Sequence, residues 1–146
     1  MPDTRFLNVF LCHASTDKPS VRKLYNHLVQ TGLNVWMDEE NLLPGQDWQL
    51  EIPNAVRRSD VVLVCLSKNS INKVGYVQKE IKFALDVAQE KPEGEIYLIP
   101  VKIEECDVPK RLTNYQWVDL FLSGESFNQS GFQKLMKSLK FIAKKV

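Results

Sequence analysis

The six residues Val61–Leu66 form an unbroken apolar run, VVLVCL. A strand with one wet face alternates apolar and polar side chains, whereas a strand covered on both faces is continuously apolar. Strands of the second kind occur in parallel sheets, where crossover helices cover both faces. The run therefore predicts the central strand of an α/β fold.

Strand-like and helix-like patterns alternate along the rest of the chain. Gly32 ends the first helical pattern, and Asp47 is placed to cap the second. Strands that alternate with helices imply right-handed crossovers and a parallel sheet. We predict strands at residues 6–12, 33–37, 61–66, 96–101 and 116–120, and helices that begin near Asp17 and Asp47 and that span residues 76–89 and 132–145.

Five parallel strands favour the flavodoxin-like three-layer fold, with strand order 2-1-3-4-5 and helices on both faces. The second and fifth strands are then the edges of the sheet. Ligands bind beyond the carboxyl ends of the strands where the order reverses, between the first and third strands. We therefore expect a site formed by residues 12–17, residues 67–75 and the loop after the second strand, and a core that contains Phe10, Val62, Val64, Leu98 and Ile99.

Length and composition fit one domain, residues 1–146, alone or as part of a longer multidomain protein. The net charge of +1 gives no field that attracts nucleic acid or an anionic membrane, and no apolar run is long enough to cross a bilayer. Cys12, Cys65 and Cys106 lack paired spacing, and the two histidines form no metal-ligand set. We expect a cytoplasmic domain with no metal, no cofactor, and no nucleic-acid or membrane partner.

The loop after the first strand, CHASTDKPS, argues against several ligands of this fold class. It matches neither GxGxxG nor GxxxxGK[ST], the loops that hold dinucleotides and nucleoside triphosphates. A receiver domain needs acidic residues here and an Asp at the end of the third strand, where this chain has His13 and Ser67. A nucleophile such as Cys12 is poorly placed to pair with His13, because neighbours at a strand end point in opposite directions.

Four stretches together resemble the Toll/interleukin-1 receptor (TIR) domain family. They are VFLCHAS at residues 9–15, NVWMDEENLLPG at 34–45, SDVVLVCLSKNS at 59–70 and GYVQKEIKFAL at 75–85. The second resembles the family's BB loop, and the fourth resembles the helix that carries the catalytic Glu in TIR domains that cleave NAD⁺.

The resemblance implies a bacterial-type NAD⁺ glycohydrolase. Such an enzyme takes NAD⁺ as its substrate, and it yields nicotinamide with ADP-ribose or a cyclic ADP-ribose. The resemblance also implies activation by self-association with other TIR domains, in immune or antiphage signalling. The alternative is a non-catalytic adaptor that signals through TIR–TIR contact.

Glu80 is the candidate catalytic residue. On a helical wheel it lies with Tyr76, Phe83 and Val87 in a ridge beside the apolar face, and no Lys or Arg lies three or four residues away. The alternative is a carboxylate that reaches water from the helix edge. The resemblance favours a carboxylate that orients the ribose and stabilises an oxocarbenium-like transition state. The predicted buried face of this helix comprises Val77, Ile81, Ala84, Leu85 and Ala88.

The other substrate contacts are assigned by the resemblance alone. The turn with Ala14 and Ser15 is expected to face the substrate, at a place where some NAD-cleaving members carry basic residues. Trp48 has two interpretations, an aromatic wall of the site or a core anchor for its helix. The substrate-binding residues that the resemblance implies are Ala14, Ser15, Asp38, Asn41, Leu43, Trp48 and Tyr76.

Residues 38–47 are predicted to form a loop longer than the usual βα connection. Its Pro44-Gly45 pair is typical of a type II turn, in which Pro fixes φ and Gly takes a positive φ. In TIR domains this loop packs against a neighbouring TIR domain, and the composite surface often completes the active site. The resemblance therefore implies self-association through Leu42, Leu43, Pro44, Gly45 and Gln46.

Overall fold

Five parallel strands form one sheet in the order β2-β1-β3-β4-β5. The computed structural model describes residues 7–72, 76–92, 94–121 and 127–144, with the side chains in these ranges other than those of residues 15, 39, 69, 72 and 76–79. The predicted flavodoxin-like order, with the second and fifth strands at the edges, is confirmed. The strands are β1 Asn8–Cys12, β2 Asn34–Trp36, β3 Val61–Leu66, β4 Leu98–Lys102 and β5 Val118–Asp119.

Helices cover both faces of this sheet. Residue 145, where the last helix was expected to end, and residue 6, where the first strand was expected to begin, lie outside the described residues. The helices are α1 Lys18–Gln30, α2 Asp38–Asn41, α3 Trp48–Arg58, α4 Lys68–Asn72, α5 Tyr76–Gln89 and α6 Gln129–Ala143, with 3-10 turns at Ser15–Asp17 and Lys110–Leu112.

The central strand β3 is buried along its whole length, as its apolar run predicts. Its neighbours β1 and β4 are both parallel to it, with Val62 opposite Phe10 on one side and Leu98 on the other. Successive strand residues face opposite sides of the sheet, so the core has two halves. One half packs against α1 and α6, and the other against α3 and α5. The predicted core residues Phe10, Val62, Val64, Leu98 and Ile99 are all buried.

Two segments predicted to be loops contain short helices. In α2, the Asn41 side chain accepts a hydrogen bond from the Met37 N–H at 3.0 Å. Before α4, the Ser67 hydroxyl oxygen accepts from the Ser70 N–H at 3.1 Å, while the Ser70 hydroxyl oxygen accepts from the Ser67 N–H at 2.8 Å. This reciprocal pair is a capping box. Helices of one turn are too short for the apolar periodicity from which helices are predicted.

The buried face of α5 differs from the helical-wheel prediction. The wheel places Val87 on a flanking ridge and Leu85 and Ala88 on the buried face, whereas Val87 is buried and the other two are half-buried. The reason is that α3 packs against that flank of α5 and covers Val87 together with Ile81. The side chain of Val77 lies outside the described residues.

Two further features of the described ranges bear on function. No helix there combines the length and the apolar character needed to span a membrane. In the same ranges no group of three or more His, Cys, Asp or Glu side chains is arranged to hold a metal ion.

Candidate functional site

The carboxyl ends of β1 and β3 meet where the strand order reverses. There the Ser67 hydroxyl, just after β3, donates a hydrogen bond to the carboxylate of Asp17, just before α1. Both residues are buried. This hydrogen bond links the loop after β1 to the loop after β3 at the carboxyl edge of the sheet. Both loops were predicted to border a ligand.

Glu80 lies in the second turn of α5, and its side chain is only partly exposed. Burial raises the pKa of Glu80 to about 8, the negative charge of Asp38 adds to this rise, and the positive charge of Lys18 opposes it. The charge of Glu80 in turn adds to the effect of burial in raising the pKa of the Cys12 thiol. Glu80 therefore lies within electrostatic reach of the ends of β1 and β2, and in the free protein it is mostly protonated at neutral pH.

A cavity of about 260 Å³ opens between α3 and α5, with Glu80 and the side chain of Gln49 as its polar lining. Trp48, in the first turn of α3, is 46% exposed and forms one wall. Trp48 therefore does not anchor the core. The remaining lining residues are Ile52, Pro53, Val56 and Phe83.

The ring of Phe83 is held against α3 by a cation. The guanidinium carbon of Arg57 lies 5.1 Å from the ring centroid. A cation over an aromatic face is attracted by the ring quadrupole. Phe83 lines the cavity, so this contact holds one of its aromatic walls against α3.

Asp38 lies in a small charged cluster at the start of α2. The ammonium of Lys18 contacts both of its carboxylate oxygens, at 2.9 and 3.0 Å. The Nε2 atom of His13 lies 3.6 Å from one of them, which is too long for a hydrogen bond. His13 is buried, and this burial lowers its pKa, so the ring is neutral at neutral pH.

The other predicted substrate contacts are more scattered. Ala14 is 1% exposed and offers almost no side-chain surface to a ligand. Asn41 lines a separate cavity of about 320 Å³ with Trp36 and Arg58, and Leu43 is 64% exposed. The side chains of Ser15 and Tyr76 lie outside the described residues. The structure thus brings Glu80, Trp48 and the charge of Asp38 together, and it does not place Asn41 or Leu43 on that cavity.

The loop that follows α2 has the turn that its sequence predicts. Gly45 has a φ of +92°, as the third position of a type II turn requires. The Gln46 N–H donates to the Leu43 carbonyl at 3.0 Å, and the Leu43 N–H donates to the Gln46 side chain at 2.7 Å. Leu43 and Leu50, on either side of this turn, are both more than half exposed.

A larger cavity, of about 710 Å³, lies at the opposite edge of the sheet. It is bounded by residues at the amino ends of β4 and β5, including Tyr97 and Trp117, and by α6. Ligands of open α/β sheets bind beyond the carboxyl ends of the strands, and the perturbed carboxylate Glu80 is not on this cavity. The smaller cavity beside Glu80 is therefore the better candidate site.

Sequence reasoning missed Lys18 and Gln49. Gln49, Ile52, Pro53 and Val56 follow the spacing of one helix face, which identifies the face of α3 that meets α5. Lys18 and Asp38 follow adjacent parallel strands, so the strand order alone brings them to the same edge. The first signal becomes specific only when α3 is known to pack against α5, and the second only when α1 and α2 are known to begin at neighbouring strand ends.

Comparison with known proteins agrees with this fold. A family model described as a TIR domain matches residues 9–136, which is most of the chain. Among solved structures, the TIR domain of the Toll-related receptor TRR-2 from Hydra magnipapillata superposes with a TM-score of 0.71, over 90% of this chain and 97% of that one, at 18% identity. At that identity the likeness shows the fold alone.

Two curated relatives have a higher sequence identity to this chain than the Hydra TIR domain has. The chain is 36% identical over 95 residues to the NAD(+) hydrolase TcpA of Theionarchaea archaeon, and 40% identical over 67 residues to the 2′ cyclic ADP-D-ribose synthase AbTIR of Acinetobacter baumannii. These alignments cover 64% and 45% of this chain, but only 28% and 25% of the relatives. The chain thus matches about a quarter of each relative's length.

Proposed function

This chain belongs to the TIR domain family, and from that premise we propose that it is an NAD⁺ glycohydrolase in which Glu80 is the catalytic carboxylate. The observation that carries the proposal is the place of Glu80, a partly buried carboxylate on the wall of a mostly apolar cavity between α3 and α5. Two curated relatives are named for reactions of this class. Perturbed carboxylates in clefts are typical of catalytic sites.

The reaction requires little acid–base chemistry from the protein. The bond between the ribose and the nicotinamide nitrogen breaks, and the neutral nicotinamide leaves with the bonding electrons. Water adds to the ribose carbon and loses a proton, which gives ADP-ribose; attack by a hydroxyl of the same molecule gives a cyclic ADP-ribose instead. The ionised form of Glu80 would stabilise the oxocarbenium-like transition state and orient the ribose hydroxyls.

Glu80 must lose its proton for this role. Its pKa of about 8 in the free protein is set mainly by burial. The nicotinamide ring of NAD⁺ carries a positive charge, and a nearby positive charge lowers the pKa of a carboxyl group. Binding of the substrate would therefore ionise the residue that acts on it.

We propose that the cavity between α3 and α5 receives the nicotinamide ring. Its volume of about 260 Å³ exceeds that of cavities of about 150 Å³ that hold a single benzene ring. Trp48 and Phe83 are flat aromatic walls, and the Gln49 amide has both a donor and an acceptor for the carboxamide group. This placement puts the bond to be broken next to Glu80.

We propose, in addition, that the domain is active when it self-associates through residues 42–46. Leu43, Trp48 and Leu50 are exposed apolar side chains close together in the sequence around this loop. Exposed apolar residues that cluster are typical of interaction surfaces. A non-catalytic adaptor would use the same loop without needing Glu80.

The test is chromatography of the products after incubation with NAD⁺. The wild-type protein is expected to release nicotinamide, and Glu80→Gln is expected to reduce the rate by at least about a hundredfold, the usual loss for an electrostatic catalytic group. Asp86→Asn is the matched control, because Asp86 is an exposed carboxylate on the same helix. Equal turnover by Glu80→Gln and wild type would remove Glu80 from the mechanism, and no turnover at any protein concentration would favour the adaptor.

A further inference from the structure

We propose that the backbone carbonyl of Gln49 selects the ligand of the cavity between α3 and α5, because Pro53 removes the helical donor of that carbonyl. The carbonyl would accept a hydrogen bond from a carboxamide on a pyridine ring, and so distinguish it from a carboxylate. Gln49 would thus determine specificity without touching the bond that breaks. This role rests on the proposed function for one point, the placement of the nicotinamide ring beside Gln49.

Pro53 lies inside α3, which continues past it to Arg58. In an α-helix each backbone N–H donates to the carbonyl four residues earlier, and proline has no N–H. The carbonyl of Gln49 therefore lacks its helical donor. Pro19 differs, because it lies in the first turn of α1, where a backbone N–H has no helical acceptor.

The Gln49 carbonyl lies on the face of α3 that lines the cavity. Residues four apart on a helix lie one above the other, and a helical carbonyl is directed toward the residue four positions later. Gln49 and Pro53 both line the cavity, together with Trp48 and Glu80. A proline ring crowds the carbonyl four residues before it, and carbonyls at such a site tilt away from the helix axis. The carbonyl is therefore placed to accept from a ligand in this cavity.

A carboxamide fits the two polar groups that Gln49 presents. Like the side chain of glutamine, it has an acceptor oxygen and an NH₂ group that donates. The Gln49 side-chain amide can donate to the ligand's oxygen, while the Gln49 carbonyl can accept from the ligand's NH₂. An ionised carboxylate has only acceptors, so it would leave the carbonyl without a donor. The cavity therefore favours a pyridine carboxamide over a pyridine carboxylate.

Pro53→Ala and Pro53→Val test whether the carbonyl is available. Both variants restore the N–H at position 53, and valine also keeps a side chain of similar bulk. The restored N–H is expected to bond the Gln49 carbonyl, so its hydrogen should exchange slowly with solvent. The midpoint of urea denaturation should rise, because proline is destabilising in a helix interior. Pro19→Ala is the matched control, since its restored N–H has no helical acceptor and should exchange fast. Fast exchange at position 53 would overturn the proposal.

Binding of ring fragments tests the selectivity directly. The probes are nicotinamide, nicotinic acid and acetylpyridine, the methyl ketone that matches nicotinamide in shape but has no N–H. NMR titration of the Trp48 indole N–H signal, assigned by its loss in Trp48→Phe, reports occupancy of the cavity. The wild type is expected to bind nicotinamide at least about fivefold more tightly than either of the others, a usual contribution of one hydrogen bond.

The two proline variants are expected to change this selectivity in the same way. Each should weaken nicotinamide binding by about fivefold and leave acetylpyridine binding nearly unchanged. A damaged cavity wall would instead weaken both ligands alike, and more in Pro53→Ala than in Pro53→Val. That pattern, unaltered nicotinamide binding in both variants, or no binding of nicotinamide to the wild type would overturn the proposal.

Turnover separates this role from the proposed function. If the chain cleaves NAD⁺, Pro53→Ala is expected to lower kcat/KM for NAD⁺ about fivefold relative to kcat/KM for the acetylpyridine analogue of NAD⁺. An unchanged ratio would overturn the role of the Gln49 carbonyl and leave the glycohydrolase standing. A chain that binds nicotinamide with the expected selectivity but releases none from NAD⁺ would refute the proposed function alone.

Discussion

The side chain of Asp17 is bonded to Ser67, at the end of β3, and not to the helix that Asp17 precedes. Asp17 occupies the N-cap position of α1 but makes no side-chain hydrogen bond to that helix. The Ser67 hydroxyl donates to its carboxylate instead, and both residues are buried. The residue at the N-cap position of α1 therefore joins the loops after β1 and β3 at the carboxyl edge of the sheet.

Ser67→Ala is expected to lower the free energy of unfolding by about 1–3 kcal/mol, because it removes the donor to the buried Asp17 carboxylate and the acceptor of the Ser70 N–H. The measurement is urea denaturation at neutral pH. Ser59→Ala is the control, since its buried hydroxyl donates at 2.7 Å to a neutral acceptor, the carbonyl of Ala55. A hydrogen bond to a neutral group contributes less than one to a charged group. Equal losses in the two variants would contradict the importance assigned to the Ser67–Asp17 contact.

Glu80 is expected to make stability depend on pH. Its pKa is about 8 in the folded protein, against an ordinary value of 4.5. Between these values the unfolded chain has lost the proton that the folded protein keeps, so the free energy of unfolding falls as pH rises. Glu80→Gln lacks this dependence. Relative to Glu80→Gln, the wild type is expected to lose on the order of 1–3 kcal/mol between about pH 5 and pH 8.

Urea denaturation at a series of pH values measures this difference. Asp86→Asn removes an exposed carboxylate from the same helix and is expected to leave the wild-type dependence unchanged. If the free energies of unfolding of wild type and Glu80→Gln changed with pH by the same amount, the pKa of Glu80 would not be raised by folding.

Gly45→Pro is expected to reduce the dependence of NAD⁺ cleavage on protein concentration. Proline has a φ near −65° and is unable to adopt the +92° of Gly45, so the turn that presents Leu43 must change. If self-association activates the domain, specific activity should rise with concentration by mass action, and this variant should blunt the rise.

Gly94→Pro is the matched control for this variant. Gly94 has a φ of +87°, and at both Gly94 and Gly45 no atom lies within 4 Å of the position that a Cβ would take. The control therefore imposes similar backbone strain far from residues 42–46. Specific activity of the wild type that stays constant over about a hundredfold dilution would refute activation by self-association.

Trp48→Ala is expected to reduce kcat/KM for NAD⁺ by about tenfold or more while changing stability little. The side chain is 46% exposed, so its removal leaves no core void, but it removes a wall of the cavity beside Glu80. Trp117→Ala serves as the control, because Trp117 is 37% exposed and lines the cavity at the other edge of the sheet. Similar activity in the two variants, measured by nicotinamide release, would exclude the cavity of Trp48 from substrate binding.

The sequence by itself determined the architecture. The unbroken run Val61–Leu66 identified the central strand, because only a strand covered on both faces has no polar side. The alternation of strands and helices then determined the parallel order and its edges. The sequence also predicted two local features. Asp47 caps α3, with its side chain accepting a hydrogen bond from the Gln49 N–H, and Gly45 has the positive φ of the predicted turn.

Only the tertiary structure decided which side chains share a site. Val87 is buried because α3 covers that flank of α5, a contact between helices that periodicity within one helix does not contain. For the same reason, the sequence did not reveal that Gln49 and Glu80 line one cavity, or that Lys18 contacts Asp38. Periodicity specifies which face of each helix is apolar, but the pKa of Glu80, on α5, also depends on Lys18 and Asp38, which belong to α1 and α2.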